Sequence, residues 1–206
     1  MNPVIQTLGI DASLNGTGLC LFTGSDTGYE LTQRELIMEK DKGVTRLRSL
    51  RTLFNEWLDA NGIDGASTKL ALIEGYAYGA SGRIAHMGEW GGLIRVALAD
   101  RGIDIAEMHN AHLKQFVTGK GNSQKNEMLL GIFKRFGVEY ASDDAGDAFA
   151  LAAAAQASLL GPAMSVTRWQ TYFGRAMSAQ ESTAAAKIEQ LWKPSSAPAR
   201  ARPVKR

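Results

Sequence analysis

The sequence predicts an α/β protein: a mixed sheet, made of an antiparallel three-strand meander plus parallel strands, with helices on both faces. Two observations predict it. Three strand-like runs come first, with a turn signal between the first two. From residue 44 onward, runs of helical spacing alternate with short apolar runs. The composition, 45% hydrophobic and 21% charged over 206 residues, excludes collagen, long disorder and a disulfide-stapled miniprotein.

Residues 4–12 carry Val4, Ile5, Leu8 and Ile10 and read as a strand. Asn15-Gly16 signals a two-residue hairpin, and residues 19–23 read as the returning strand. Residues 29–38 add a third strand, with Leu31, Ile37 and Met38 apolar. Val44, Leu47, Leu50, Phe54 and Leu58 recur at helical steps, and Asn61-Gly62 ends that helix. Residues 69–74 are a short buried strand, followed by a glycine- and tyrosine-rich loop over 75–82. Residues 84–101 read as a helix, although Gly88, Gly91 and Gly92 weaken it by ~1 kcal/mol each. Residues 103–108 form another strand and 110–117 a short helix ending at Thr118-Gly119. The next helix is expected to be capped by Asn122 or Ser123, with Met128, Leu129, Ile132, Phe133 and Phe136 as its apolar stripe. Residues 144–160 are a plain alanine-rich helix.

Residues 1–161 are expected to form one domain. Residues 162–192 form a helical extension in which Ala184, Ile188, Leu191 and Trp192 are helically spaced. Residues 193–206 form a basic, proline-rich tail expected to be disordered.

The net charge of +2 hides a split. Lys193, Arg200, Arg202, Lys205 and Arg206 stand in a tail without acids, so residues 1–192 hold 18 basic and 21 acidic residues. A simple polybasic nucleic-acid coat does not look like this. If the body binds nucleic acid, some of its carboxylates need a special task. The lone cysteine, Cys20, sits in an apolar run, which suits a reducing interior. No apolar run approaches the ~20 residues of a membrane helix, and a cytoplasmic protein is expected.

Certain carboxylates stand in places where burial is costly. Asp11 ends the first strand, and Glu74 ends a buried one. Asp144 and Asp147 share one face of a helix start, although Asp143 and Asp147 are also an i, i+4 pair. Carboxylates beside a core need partners, and hard divalent cations such as Mg²⁺ take oxygen ligands. Each acid also has a plainer reading, as turn former, strand-end charge or helix cap. The order Asp, Glu, Asp-x-x-Asp on strand, strand and helix is what points to a paired-metal phosphodiesterase site.

The chain resembles the RuvC-type Holliday-junction resolvases of bacteria and their phages. Gly9-Ile10-Asp11-Ala12-Ser13 with Thr17-Gly18 resembles the family's opening Gly-Ile-Asp-Pro-Ser and Thr-Gly. Ala71-Leu72-Ile73-Glu74 resembles its second acidic strand. Lys114 to Gly121 resembles its Lys-x-x-Val-x-Gly-x-Gly segment, with Lys125 following. Asp144-Ala145-Gly146-Asp147-Ala148 resembles its last acidic helix, matching Asp144 and not Asp143. The resemblance spans about residues 5–160.

The resemblance implies an RNase H-like fold and a homodimer. It also implies nuclease action on four-way DNA junctions in recombination and repair, with two Mg²⁺ per active site, which Mn²⁺ can replace. Asp11, Glu74, Asp144 and Asp147 would hold the metals, and Lys120 would act beside the scissile phosphate. Lys114, Lys120, Lys125, Tyr76, Tyr78, Arg83, Arg200 and Arg202 would contact DNA. Ala12 departs from the family's proline, and the loop around Tyr76 and Tyr78 departs from the family's junction wedge. Flaps, forks or RNA–DNA hybrids are therefore an alternative substrate class. A non-catalytic DNA-binding architectural protein is an alternative of another kind.

Truncation after Lys193 should make DNA affinity less steeply dependent on salt, because fewer counterions are released. An unchanged slope in a salt titration would remove Arg200 and Arg202 from DNA binding.

Overall fold

A computed structural model describes residues 4–14, 16–37, 41–75 and 84–191, apart from the side chains of 84, 161–167 and 189–191. Strands β1 (Ile5–Asp11), β2 (Gly16–Gly24) and β3 (Tyr29–Ile37) form the meander, and α1 (Gly43–Ala60) follows. Next come β4 (Thr68–Glu74), α2 (Ile84–Asp100), β5 (Asp104–Met108), α3 (Asn110–Thr118) and α4 (Lys125–Phe136). The chain then runs through α5 (Asp143–Phe173) and α6 (Ala179–Leu191).

The sheet order is β3-β2-β1-β4-β5. β2 is antiparallel to both β1 and β3, while β4 is parallel to β1 and to β5. The expected mixed sheet is therefore present. Strand alternation sorts the core onto two faces. Leu8, Ile10, Leu19, Leu21, Ala71 and Ile73 pack with α1 and α2 residues such as Phe54 and Trp90. Cys20, Phe22, Leu70 and Leu72 pack with residues of α3, α4, α5 and α6. Among the described residues, no helix is long and apolar enough to cross a membrane.

Alpha5 lies unusually close to the sheet, and glycine permits it. A Cβ on Gly9 would stand 2.0 Å from the Ala148 carbonyl oxygen and 2.4 Å from the Ala152 nitrogen. A Cβ on Gly18 would stand 2.0 Å from the Asp144 carbonyl oxygen. The helix answers with small side chains: Ala148 and Ala152 are fully buried. Thr7 on the same strand face donates its hydroxyl to the Ala152 carbonyl at 2.9 Å.

Three expectations change. The β1–β2 connection is longer than a two-residue turn, because Asp11 pairs with Gly18. Asn15 lies outside the described residues; Ser13 organises the turn, its Oγ accepting from Gly16 N–H at 3.1 Å. Alpha4 begins one residue later than expected, with Gln124 as its cap and Glu127 accepting the Gln124 N–H at 2.7 Å. Ser123 is instead buried, and its hydroxyl donates to the Lys120 carbonyl at 3.0 Å. Alpha5 does not stop at Leu160 but runs on to Phe173, where buried Trp169 and Tyr172 join the core around α3 and α4. Burial of two aromatics outweighs the helix penalty of the Gly161-Pro162 step.

The close approach is testable. Gly9→Ala must force α5 off the sheet and should lower stability by ~1–3 kcal/mol or more. Gly88→Ala, whose Cβ would meet nothing within 4 Å, should instead stabilise α2 by ~0.5–1 kcal/mol. Chemical denaturation of both variants checks the contrast.

Candidate active site

Asp11 and Glu74 are the last residues of β1 and β4, adjacent parallel strands in which Ile10 pairs with Ile73. Asp11 shares a strand face with Gly9, and Glu74 with Leu72, so both acids point to the α5 side. The start of α5 overlies them. Ser142 caps that helix by accepting from Ala145 N–H at 3.3 Å, and its hydroxyl donates to Glu35 of β3. The glycine contacts described above then set Asp144 and Asp147 against the strand ends. Asp11, Glu74, Asp144 and Asp147 line one cleft, together with Ser13, Asn110 and Lys125.

The cleft is electrostatically crowded. Asp11 is only 8% exposed. Burial first, then the charge of Glu74 and a hydrogen bond with it, then the charges of Asp147 and Asp144, push the Asp11 carboxyl up to about 10. Burial and the charges of Glu74, Asp143 and Asp144 push Asp147 up to about 7 against the opposing pull of Lys125. Asp144 is also raised, by burial and the Glu35 charge, against a hydrogen bond with Asp11. Among the described residues, no group of three or more His, Cys, Asp or Glu side chains stands ready-made around a metal position. Asp11 shares hydrogen bonds with Glu74 and Asp144 instead. The donor set still fits a hard divalent cation: the groups facing Asp11 are carboxylates, and ionising them together demands positive charge.

Neighbouring residues tune the cluster. Asn110, the first residue of α3, donates its Nδ2–H to Glu74 Oε1 at 2.5 Å. Lys125 Nζ donates to Asp143 Oδ2 at 2.9 Å, while its side chain stays 78% exposed. Asp143 thus turns to a lysine and Asp144 to the cleft.

The other expected residues are more scattered. Lys114 is half-buried on α3, and Lys120 is exposed on the α3–α4 turn; neither lines the cleft. Tyr76, Tyr78, Arg83, Arg200 and Arg202 lie outside the described residues. Asn110 escaped the sequence reading, as did Arg95 of α2, which lines the cleft and pairs with Glu107. Asn110 reaches the site only because Glu74 pairs with Met108 across β4 and β5. No spacing rule reveals that register.

A family model described as crossover junction endodeoxyribonuclease RuvC matches residues 7–155. That span holds all four cleft carboxylates and most of the chain. The chain belongs to the RuvC family. It is accordingly a nuclease. A curated relative of the same description, from Synechococcus sp. (strain WH7803), is 27% identical over 158 residues, covering 72% of this chain and 96% of the relative. The solved Thermus thermophilus RuvC structure superposes with a TM-score of 0.59 at 18% identity, covering 71% of this chain and 90% of that one. The T. thermophilus RuvC structure in complex with a Holliday junction substrate matches equally, at 19% identity. At those identities the likeness speaks for the fold, which is RNase H-like as expected. The RuvC match stops within α5, so the rest of α5 and all of α6 lie beyond it.

The raised carboxyls have a stability consequence. An acid whose folded pKa is raised favours the fold below its unfolded value, and that contribution is lost as pH rises through the folded value. For Asp11 the loss runs from about 3.8 to about 10, and for Asp147 from about 3.8 to about 7. In EDTA, Asp11→Asn should therefore melt higher than the parent, on the order of 5 °C at pH 8, with a smaller gap at pH 5. Mg²⁺ should raise the parent's melting temperature and leave that of Asp11→Asn nearly still. Calorimetry across pH, with and without Mg²⁺, reads both effects; a gap that shrinks with rising pH would contradict the assignment.

Proposed function

We propose that this RuvC-family nuclease resolves four-way DNA junctions, cutting two opposed strands symmetrically as a homodimer. The observation that carries this reading is the convergence of Asp11, Glu74, Asp144 and Asp147 at one sheet end. Support also comes from the relative described in complex with a Holliday junction substrate. Attack of water on the scissile phosphorus, with departure of the 3′ oxygen, leaves 5′-phosphate and 3′-hydroxyl ends.

The four carboxylates would hold two Mg²⁺ ions, with Mn²⁺ as a substitute. When bound, such a pair supplies Lewis-acid charge at the phosphate and lowers the pKa of the attacking water. The chain's own residues set the geometry. Asn110 holds one Glu74 oxygen, and Asp11 hydrogen-bonds with the same carboxylate. Lys125, exposed at the cleft, would meet a DNA phosphate, with its Asp143 pair opening at little cost. Lys114 and Lys120 would hold backbone phosphates farther from the acids. Residues 1–161 would carry the nuclease chemistry, and residues 162–192 would extend that unit through the continuous α5 and its shared core, in a cytoplasmic setting that suits the thiol of Cys20.

Incubation with a mobile four-way junction and Mg²⁺ should yield paired nicks. Asp11→Asn and Glu74→Gln should lose cutting and keep binding. Asn110→Ala should cut about 10–100-fold more slowly at an unchanged melting temperature. Flaps, forks and RNA–DNA hybrids at matched salt complete the panel; a preference for any of them over the junction would overturn the substrate assignment.

A further inference from the structure

Alpha6 lies outside the span matched by the family, which ends at residue 155. Two neighbour relations fix its direction. A Cβ on Gly119, which caps the end of α3, would lie 3.7 Å from Gln180 Nε2 near the start of α6. At the start of α3, Lys187 is a charged neighbour of the His112 imidazole. Alpha6 therefore runs antiparallel to α3 and delivers Lys187 to the end of α3 that faces the active site. Asn110 at that end bonds Glu74 at 2.5 Å, and Gly75 N–H donates to the Met108 carbonyl at 2.9 Å. The rings of His109 and His112 meet edge-on, with centroids 6.0 Å apart. Lys187 and His112 are exposed.

The platform is rigid. Ala184, Ala185 and Ile188 are buried in the core shared with α3 and α5. Glu181, fully buried, accepts from Arg175 at 2.5 and 2.8 Å and from Ser178 N–H at 2.6 Å. Arg175 also donates to the Arg135 carbonyl at 2.9 Å and covers the Phe136 ring at 5.4 Å. The α5–α6 corner is thus locked onto α4, and α6 cannot slide along α3 without breaking a buried charge pair.

We propose that Lys187, with His112 and His109 beside it, forms a phosphate-binding step at the rim of the cleft, where the backbone of a DNA arm leaves the carboxylate cluster. The proposal rests on the DNA-cleaving reading above and extends its contact surface onto α6. The chemistry fits a phosphodiester. Desolvation first, then repulsion from neighbouring Lys187 and His109, push the His112 pKa below its usual value. An anion lying across them relieves that repulsion. Phosphate contacts of this kind position a duplex and read no sequence.

The test measures binding of the full chain to a labelled four-way junction and to a linear duplex across a salt series, with Ca²⁺ replacing Mg²⁺. Lys187→Gln should flatten the log K versus log salt slope by about 1 on both DNAs, and Lys187→Arg should restore it. Lys134→Gln, an exposed lysine at the end of α4, serves as the control and should leave the slope unchanged. A Lys187→Gln slope equal to the parent's overturns the assignment, as does an equal loss in Lys134→Gln. If the parent itself binds no branched DNA, the functional reading has failed rather than the placement of this surface.

Discussion

The approach of α5 to the first two strands is the constraint on which the rest depends. Helices usually pack on sheets through side chains from both partners. Here Gly9 and Gly18 withdraw theirs, and Ala148 and Ala152 keep theirs small, so helix backbone sits against strand backbone. The four carboxylates come from two strand ends and one helix start. They share a cleft because that helix is close enough for its first turn to reach β1 and β4. A larger residue at either glycine would lift Asp144 and Asp147 away from Asp11. The glycines in the opening motif are therefore as much a part of the site as its acids.

This closeness has an electrostatic cost that the protein keeps. Asp11 is buried among like charges, and its carboxyl favours the neutral form. Such a site opposes folding at high pH and is poised for a cation. Supports around it limit the freedom of the acids. Ser142 ties the helix start to β3 through Glu35, and Asn110 ties Glu74 to α3. Trp90 of α2 donates to Thr17 at 2.9 Å, and Thr17 donates to the Ser13 carbonyl at 2.6 Å, which braces the turn after Asp11 from the opposite face.

The C-terminal part of the described chain is integral to this frame. Alpha5 continues well past the family-like region, and its Trp169 and Tyr172 share a core with Phe116 of α3 and Phe136 of α4. The Arg175–Glu181 pair then turns the chain so that α6 lies along α3. The same short helix therefore carries Asn110 to the acids on one side and receives α6 on the other.

The sequence by itself determined the element order, the helix-covered faces of the sheet and the candidate acids at two strand ends and one helix start. Those properties are local: apolar periodicity selects strand or helix, and an acid at a strand end is visible as such. It could not choose between Asp143 and Asp144 by spacing, since both fit one helix face with Asp147; motif resemblance chose Asp144, which lines the cleft. Only the tertiary structure decided how far α5 runs, because buried aromatics more than twenty residues past its start override the Gly161-Pro162 step. Only strand register brings Asn110 to Glu74, and only the packing of α6 against α3 brings Lys187 near His112. Those contacts join residues distant in sequence, and hydrophobic burial and hydrogen bonding fix them after the local elements exist.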